Sequence, residues 1–179
     1  MLQIRIQGRG GQGAQKAGEL LAEAFFREGK YVQAYSTYGG ARRGTPVSTF
    51  IRVDDKPIRL RCDIENPGAI FCFDPSLLND VLLTGAGEDT LLLINSANSP
   101  EHFTALGNFK IFTLDAIAVA RANQLGRIVN TALVGAFAGL LKKPGIDILT
   151  RVVREKSPAK VEQNVQACLA GYRSVTKEG

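Results

Sequence analysis

The chain has 179 residues, enough for residues 1–179 to form one domain with a full hydrophobic core. With 45% hydrophobic and 22% charged residues it resembles an ordinary globular protein, and its net charge of +5 suits an anionic ligand. The basic residues do not form the runs of a nucleic-acid binder. No apolar run approaches the roughly 18 residues of a membrane span, and the N-terminus lacks a signal-peptide pattern, so we expect a cytoplasmic protein.

The first predicted element is a short strand that leads into a glycine-rich loop. Apolar and polar residues alternate over residues 2–6, and a helical apolar pattern begins near Ala14. Between them lies a loop that consists of Gly8, Arg9, Gly10, Gly11, Gln12 and Gly13. Free backbone amides and a helix dipole both favour phosphate at such a place. We therefore predict that this loop binds a phosphate group, with Arg9 adding a positive charge.

The spacing of Gly8, Gly10 and Gly13 also fits the G-x-G-x-x-G pattern of dinucleotide-binding proteins. In those proteins an Asp or Glu about 20 residues further on usually binds the ribose. The second predicted strand, over residues 31–36, ends without such an acid. This absence argues against NAD as the ligand.

A second glycine-bounded loop carries two arginines, Arg42 and Arg43, followed by Gly44. These residues are suited to receive a second phosphate. A ligand with a diphosphate and a separate ribose phosphate fits both loops, which favours coenzyme A over NADP. The alternative is that both loops only turn the chain and that the two arginines are solvated.

The middle of the chain predicts strands. Two alternating runs, residues 47–53 and 58–60, flank a turn-rich tetrapeptide and predict a β-hairpin over residues 46–60. Its polar face is expected to turn towards a partner and carries Arg52, Arg59 and Arg61.

Short apolar runs at residues 69–73 and 91–94 predict central parallel strands that are buried on both faces. Residues 110–114 predict a further strand, after which Asp115 caps a helix. Polar residues follow the first two strands at the edge where open α/β sheets bind ligands.

The last third of the chain predicts helices over residues 131–141, 146–154 and 158–172. Gly135 and Gly139 allow close helix packing in the first, and Ser157 is the expected N-cap of the last, with Pro158 at its first position. Together the elements predict an α/β, Rossmann-like fold with a mostly parallel sheet, flanking helices and one β-hairpin.

Residues for independent catalysis are lacking. The three cysteines (Cys62, Cys72 and Cys168) have no metal-binding spacing, and His102 is the single histidine, expected at the surface. Cys72 lies in an apolar run and is expected to be buried. We predict no catalytic residue and no metal site within this chain alone, and therefore no bound iron, zinc or thiamine diphosphate.

Several segments together resemble the gamma subunit of the 2-oxoacid:ferredoxin oxidoreductases, also called domain III in this family. They are the loop at residues 8–13, Tyr38-Gly39, Arg43-Gly44, the strand at residues 48–53, and the segments at residues 130–136 and 160–167. The resemblance covers essentially the whole chain in the right order.

The resemblance implies a non-catalytic subunit of a thiamine-diphosphate-dependent enzyme of anaerobic metabolism. Such enzymes oxidatively decarboxylate a 2-oxoacid such as pyruvate, pass the electrons through iron–sulfur clusters and form an acyl-CoA. Thiamine diphosphate and the clusters are expected in the alpha, beta and ferredoxin-like delta subunits. The gamma-type domain is associated with holding coenzyme A.

One departure from the family concerns the second loop, in which the family often has an acidic residue. This chain has Gly40-Ala41-Arg42 there, so the loop is more basic. Whether the loop meets coenzyme A, a neighbouring subunit or both stays open. The electron acceptor can be ferredoxin, or NAD if a flavin subunit joins the complex.

Two alternatives belong to other classes of protein. The chain could be a purely structural subunit, for example of an enzyme that acts on an aryl 2-oxoacid with NAD as acceptor. It could also be a free-standing NADP-binding reductase, which would need acid–base residues that we do not find.

Overall fold

The computed structural model describes residues 1–40 and 43–176, so Arg42 lies outside the described residues. The described residues form six strands: β1 (Leu2–Arg9), β2 (Tyr31–Tyr38), β3 (Pro46–Asp54), β4 (Ala69–Cys72), β5 (Leu91–Asn95) and β6 (Lys110–Leu114). They also form six α-helices: α1 (Ala14–Arg27), α2 (Asp80–Leu83), α3 (Ala116–Ala122), α4 (Asn130–Leu141), α5 (Ile146–Lys156) and α6 (Val161–Thr176). Short 3₁₀ helices span Pro75–Leu77 and Pro100–Leu106. Within these ranges, no helix is long and apolar enough to cross a membrane.

The strands form one sheet in the order β2-β3-β1-β4-β5-β6. β1, β4, β5 and β6 pair in parallel, whereas β3 runs antiparallel between β1 and β2. β1, α1 and β2 therefore make a crossover unit into which β3 is inserted. The predicted α/β class, with a mostly parallel sheet and flanking helices, is confirmed.

The hairpin predicted over residues 46–60 is wrong in its second strand. Residues 58–60 form no strand, and β3 instead pairs with β2, from Tyr31 opposite Asp54 to Tyr38 opposite Val47. The physical reason is length, because β2 offers eight residues for the ladder, whereas the run at 58–60 offers three beside a proline that has no amide to donate. The true hairpin is β2–β3, and residues 39–45 connect its strands.

The polar face predicted to turn towards a partner is partly covered. Arg52 is 1% exposed, and its guanidinium donates to the side-chain oxygens of Gln3 and Gln33. It also donates to the backbone oxygens of Cys62 and Asp63. Satisfying these donors offsets the cost of burying the charge. Arg59 and Arg61 remain exposed, as expected.

The core lies on both faces of the sheet, as predicted for the central strands. In β4, Phe71 faces the larger cluster and stacks on Phe137 of α4 with ring centroids 5.1 Å apart. Ile70 and Cys72 face a smaller cluster on the other side, which includes Phe103. This alternation follows from the two-residue period of a strand, and it confirms that Cys72 is buried.

Helices α4 and α6 pack with almost no space between their backbones. A Cβ atom on Gly135 would lie 1.9 Å from the carbonyl oxygen of Cys168. Reciprocally, a Cβ atom on Gly171 would lie 1.9 Å from the carbonyl oxygen of Ala132. The predicted close packing at Gly135 is therefore confirmed, and the glycines permit it because they have no side chain.

The predicted start of the last helix is wrong. Helix α6 begins at Val161, and Ser157 is the C-cap of α5, where its hydroxyl donates to the carbonyl oxygen of Val153. A serine can satisfy a free carbonyl at the end of one helix as readily as it can cap the next. The predicted capping of α3 by Asp115 is confirmed, because its carboxylate accepts from the amide of Ala118.

We predict that Gly135→Ala destabilises the full chain by about 1–3 kcal/mol, because the new methyl group overpacks the α4–α6 contact. Urea unfolding followed by circular dichroism measures the change. Gly87→Ala is the matched control, because a Cβ atom there meets no atom within 4 Å. Equal stability of the two variants would contradict the tight packing of α4 on α6.

Candidate functional site

The predicted glycine loop joins β1 to α1 at the carboxyl end of the sheet. Gly11 and Gly13 have φ angles of 96° and 91°, a left-handed conformation that glycine adopts without strain. Gly13 is the N-cap of α1 and offers no side chain to the helix amides. The first amides of a helix have no acceptor within the helix, so this end of α1 presents donors to an anion.

Gly8 lets β1 and α1 approach each other closely. A Cβ atom on Gly8 would lie 2.8 Å from the Cβ atom of Ala14 and 3.3 Å from that of Phe73. Any larger residue at this position would push the helix N-terminus away from the loop. The predicted helix start at Ala14 is confirmed.

The second predicted loop lies directly against the first. The amide of Gly10 donates to the carbonyl oxygen of Thr45 at 2.9 Å. The amide of Gly44 donates back to the carbonyl oxygen of Gly10 at 3.2 Å. This pairing continues the antiparallel register of β1 and β3, in which Arg9 lies opposite Pro46.

Arg43 is the described arginine of the second loop, and it lies beside the glycine loop. Its Nε atom is 3.7 Å from the position that a Cβ atom on Gly11 would take. A cleft of about 230 Å³ lies at this junction. Its lining residues are Arg9, Gly10, Gly11, Gly13, Ala14, Gln15, Tyr38 and Val47. The backbone of the glycine loop thus lines the cleft, and the exposed Arg43 lies beside one of its lining residues, Gly11.

Arg9 forms several polar contacts within the chain. Its Nε atom forms an ion pair with Oδ2 of Asp74 at 2.8 Å. Its other nitrogens donate to the hydroxyl of Ser76 at 2.8 Å and to the carbonyl oxygen of Gly44 at 3.2 Å. The side chain therefore ties the glycine loop to the end of β4 and to the second loop.

Gln12 completes this arrangement. Its side-chain oxygen accepts from the amide of Arg9 at 2.7 Å, and its side-chain nitrogen donates to Asp74 at 3.3 Å. The amide of Gln12 donates to the carbonyl oxygen of Arg9 at 2.9 Å. Gln12 therefore fixes the turn from within the loop.

Asp74 begins the polar segment that the sequence placed at this edge of the sheet, but its role there was not predicted. Burial by itself raises the pKa of its carboxyl, but hydrogen bonds from Ser76, Arg9 and Gln12 outweigh burial and lower the pKa. Its signal in the sequence was a polar residue directly after a buried strand, at the edge where α/β sheets bind ligands.

The remaining candidates for chemistry include His102 and two buried cysteines. His102 is exposed, as expected. Burial raises the pKa of the Cys72 and Cys168 thiols to about 12, so neither forms a thiolate near neutral pH. Among the described residues, no group of three or more His, Cys, Asp or Glu side chains could hold a metal ion.

Comparison with known proteins gives a consistent result. Residues 3–174 match the family model of pyruvate ferredoxin/flavodoxin oxidoreductase. The chain is 42% identical, over 182 residues and all of both chains, to pyruvate synthase subunit PorC of Methanothermobacter marburgensis. It is also 42% identical, over 82% of this chain and 83% of the relative, to the common gamma subunit of the pyruvate/ketoisovalerate oxidoreductases of Pyrococcus abyssi.

A solved structure has the same fold. The PORC subunit of pyruvate oxidoreductase from Thermotoga maritima superposes with a TM-score of 0.86 at 31% identity, over 96% of this chain and 95% of that one. The resemblance predicted from the sequence is therefore confirmed. The chain belongs to the pyruvate ferredoxin/flavodoxin oxidoreductase family and is homologous to its gamma subunits.

Proposed function

We propose that this chain is the gamma subunit of a complex that oxidatively decarboxylates a 2-oxoacid to an acyl-CoA, and that it holds coenzyme A there. Two relatives that it matches over all or nearly all of their length are subunits of pyruvate synthase, which favours pyruvate as the 2-oxoacid. The observation that carries the proposal is the pairing of the glycine loop with the loop that bears Arg43.

The two loops have complementary roles in binding a diphosphate. The amides at the start of α1 and the left-handed glycines let the ligand approach the backbone, as in other helix N-terminal phosphate sites. Arg43 adds a charge-assisted contact from the second loop, beside Gly11. Arg9 and Gln12 support the loop through their contacts with Asp74.

The chemistry that forms the acyl group lies outside this chain in this proposal. Thiamine diphosphate and the iron–sulfur clusters belong to the alpha, beta and ferredoxin-like delta subunits. Ferredoxin is the favoured electron acceptor, and an added flavin subunit would make NAD the acceptor. The contribution of this chain is to present the coenzyme A to that site.

One observation favours the second candidate, a purely structural subunit. Arg9, the cation within the glycine loop, already has Asp74, Ser76 and Gly44 as partners. A glycine loop that these contacts hold in place could form part of a subunit interface without binding a ligand. The two candidates differ in what happens to coenzyme A binding when Arg43 is removed.

We predict that Arg43→Ala raises the KM for coenzyme A about tenfold or more in the assembled complex, because one charged hydrogen bond is lost. Gly11→Val should have a similar effect, since a branched side chain is strained at a φ of 96° and blocks the ligand's approach to the backbone. Decarboxylation in the absence of coenzyme A should stay nearly intact in both variants.

Arg59→Ala is the matched control, because Arg59 is an exposed arginine in the segment after β3. It should leave the KM unchanged. If the Arg43 and Gly11 variants assemble normally and keep the wild-type KM for coenzyme A, the loops are structural and the second candidate is correct.

We predict that Asp74→Asn destabilises the full chain by about 1 kcal/mol at neutral pH, because it removes the charge that pairs with Arg9. The lowered pKa sets the pH dependence. The contribution of Asp74 is present above its unfolded pKa, and it is lost as the pH falls through the folded pKa.

Urea unfolding at several pH values measures this difference, which should therefore vanish in acid. Asp89→Asn is the control, because Asp89 pairs with Lys110 while fully exposed and should contribute little. A pH-independent difference between wild type and Asp74→Asn would show that the carboxylate charge is not what matters.

We predict that the chain functions only within a complex. Large apolar side chains are exposed where α1 meets the edge strand β2, namely Phe26 at 66%, Tyr31 at 49% and Tyr38 at 57%. Size-exclusion chromatography of native extract should place the 19.3 kDa chain in a much larger particle. Recovery solely as an active monomer would contradict this prediction.

A further inference from the structure

Strand β2 forms an open edge of the sheet, because it is the last strand in the sheet order and pairs on one side only, with β3. Its eight residues pair with β3 one to one, from Tyr31 to Tyr38, without a bulge. A strand at the end of a sheet has a row of backbone groups that no neighbouring strand satisfies. In β2 these groups can be assigned to particular residues.

The backbone groups that face outward belong to alternate residues of β2. The amide of Gly39 donates to the carbonyl oxygen of Pro46 at 2.9 Å, so residue 39 hydrogen-bonds towards β3. Every second residue of an antiparallel ladder does the same, and therefore the odd-numbered residues of β2 face β3. Among the described residues, none donates to or accepts from the outward backbone groups of the even-numbered ones. These outward-facing residues are Val32, Ala34, Ser36 and Tyr38.

This edge lacks the features by which proteins usually block an open strand. Short length, lysine, proline and bulges are the common ones. β2 has eight residues and contains neither a charged residue nor a proline. The opposite edge of the sheet differs, since β6 has five residues and begins with Lys110, which pairs with Asp89. β2 is therefore the edge that is suited to pair with another strand.

A groove between α1 and β2 adds an apolar surface to the open edge. Its volume is about 480 Å³, and its apolar lining includes Ala22, Phe26, Val32 and Ala34. Phe26 is 66% exposed, and Ala34 is exposed at the middle of the strand. A strand that paired with β2 would cover this groove and remove apolar surface from water.

The two ends of the groove carry opposite charge. Lys16 and Lys156 line the end near the start of α1, and Glu19 pairs with only the first of them. Glu23 lines the other end, and its partner Arg27 also pairs with a second glutamate. The first end therefore has a surplus of positive charge, and the second end has a surplus of negative charge.

The direction of α1 relative to β2 makes this pattern self-complementary. The hydroxyl of Tyr38, at the end of β2, donates to Oε1 of Gln15 in the first turn of α1 at 2.6 Å. Helix α1 therefore runs opposite to β2, and the positive end of the groove lies at the end of β2. When two copies of β2 pair antiparallel, the positive end of one groove lies beside the negative end of the other. This complementarity favours a second copy of the chain as the occupant.

We propose that two copies of this chain pair through β2 in an antiparallel ladder, about a twofold axis at Tyr35, and form one continuous sheet. This register places Val32 opposite Tyr38 and Ala34 opposite Ser36. It is the register in which all four outward-facing residues of each strand find partners within the other strand. A β-branched residue opposite an aromatic one also stabilises a ladder. The inference concerns assembly and does not depend on coenzyme A.

The first test measures the mass of the full chain by sedimentation equilibrium. Wild type should have twice the 19.3 kDa of one chain. Ala34→Pro should have the mass of one chain, because proline has no amide to donate to the new ladder. Proline is tolerated where the amide of an edge strand faces outward, so this variant should still fold, which circular dichroism checks. Ala34→Val is the matched control, since it keeps the amide and should keep the dimer.

The second test uses wild type alone and measures amide hydrogen exchange by NMR. In the proposed dimer, the amides of all residues from 32 to 38 should be protected from exchange. In a monomer, only the odd-numbered amides that face β3 should be protected, so that protection alternates along the strand. The exchange pattern therefore reports on the open edge even if Ala34→Pro does not fold.

Three outcomes would overturn the inference. A monomeric wild type with alternating protection would show that the edge stays open. A dimer in which protection still alternates along β2 would show that the two copies meet elsewhere. A monomeric chain whose β2 amides become protected solely in the assembled complex would assign the edge to a strand of another subunit.

Discussion

The antiparallel register between β1 and β3 is the constraint on which the candidate site depends. Because Arg9 lies opposite Pro46, the residues just before β3 must lie beside those just after β1. The reciprocal hydrogen bonds between Gly10 and residues 44 and 45 extend that ladder beyond the strands. Inserting β3 therefore turns a common glycine turn into a two-loop cleft.

The charges in this cleft divide into two groups. Asp74 pairs with Arg9 and ties it to the end of β4, which supports the shape of the glycine loop. Arg43 lies exposed on the surface beside Gly11, where a phosphate can approach it. A preorganised loop loses little conformational freedom when it binds, which favours affinity. Arg9 therefore stabilises the loop, and Arg43 is available to bind an anion.

Local pattern was sufficient to predict much of the fold. The start of α1 at Ala14, the buried strands β4 and β5 and the glycine contact of α4 all follow from apolar spacing and glycine position. Contacts between segments that lie far apart in the sequence, such as strand pairing, could not be predicted in this way. The run at residues 58–60 was the predicted partner of β3, but β3 pairs with β2, and this choice depends on the sheet as a whole. The burial of Arg52 could not be predicted either, because it depends on hydrogen bonds to residues elsewhere in the sequence, Gln33 and Asp63. Within the site, the glycines were predictable from their pattern. The ion pair of Arg9 with Asp74 joins residues 65 positions apart, and a local pattern cannot show that they pair.

The most direct measurement is a crystal or cryo-electron microscopy structure of the assembled complex with coenzyme A bound. We expect the diphosphate within hydrogen-bonding distance of the amides at residues 11–14 and of the Arg43 guanidinium, with Arg9 still paired to Asp74. Coenzyme A bound elsewhere in the complex, with both loops buried against a neighbouring subunit, would contradict the proposed site and support a structural role.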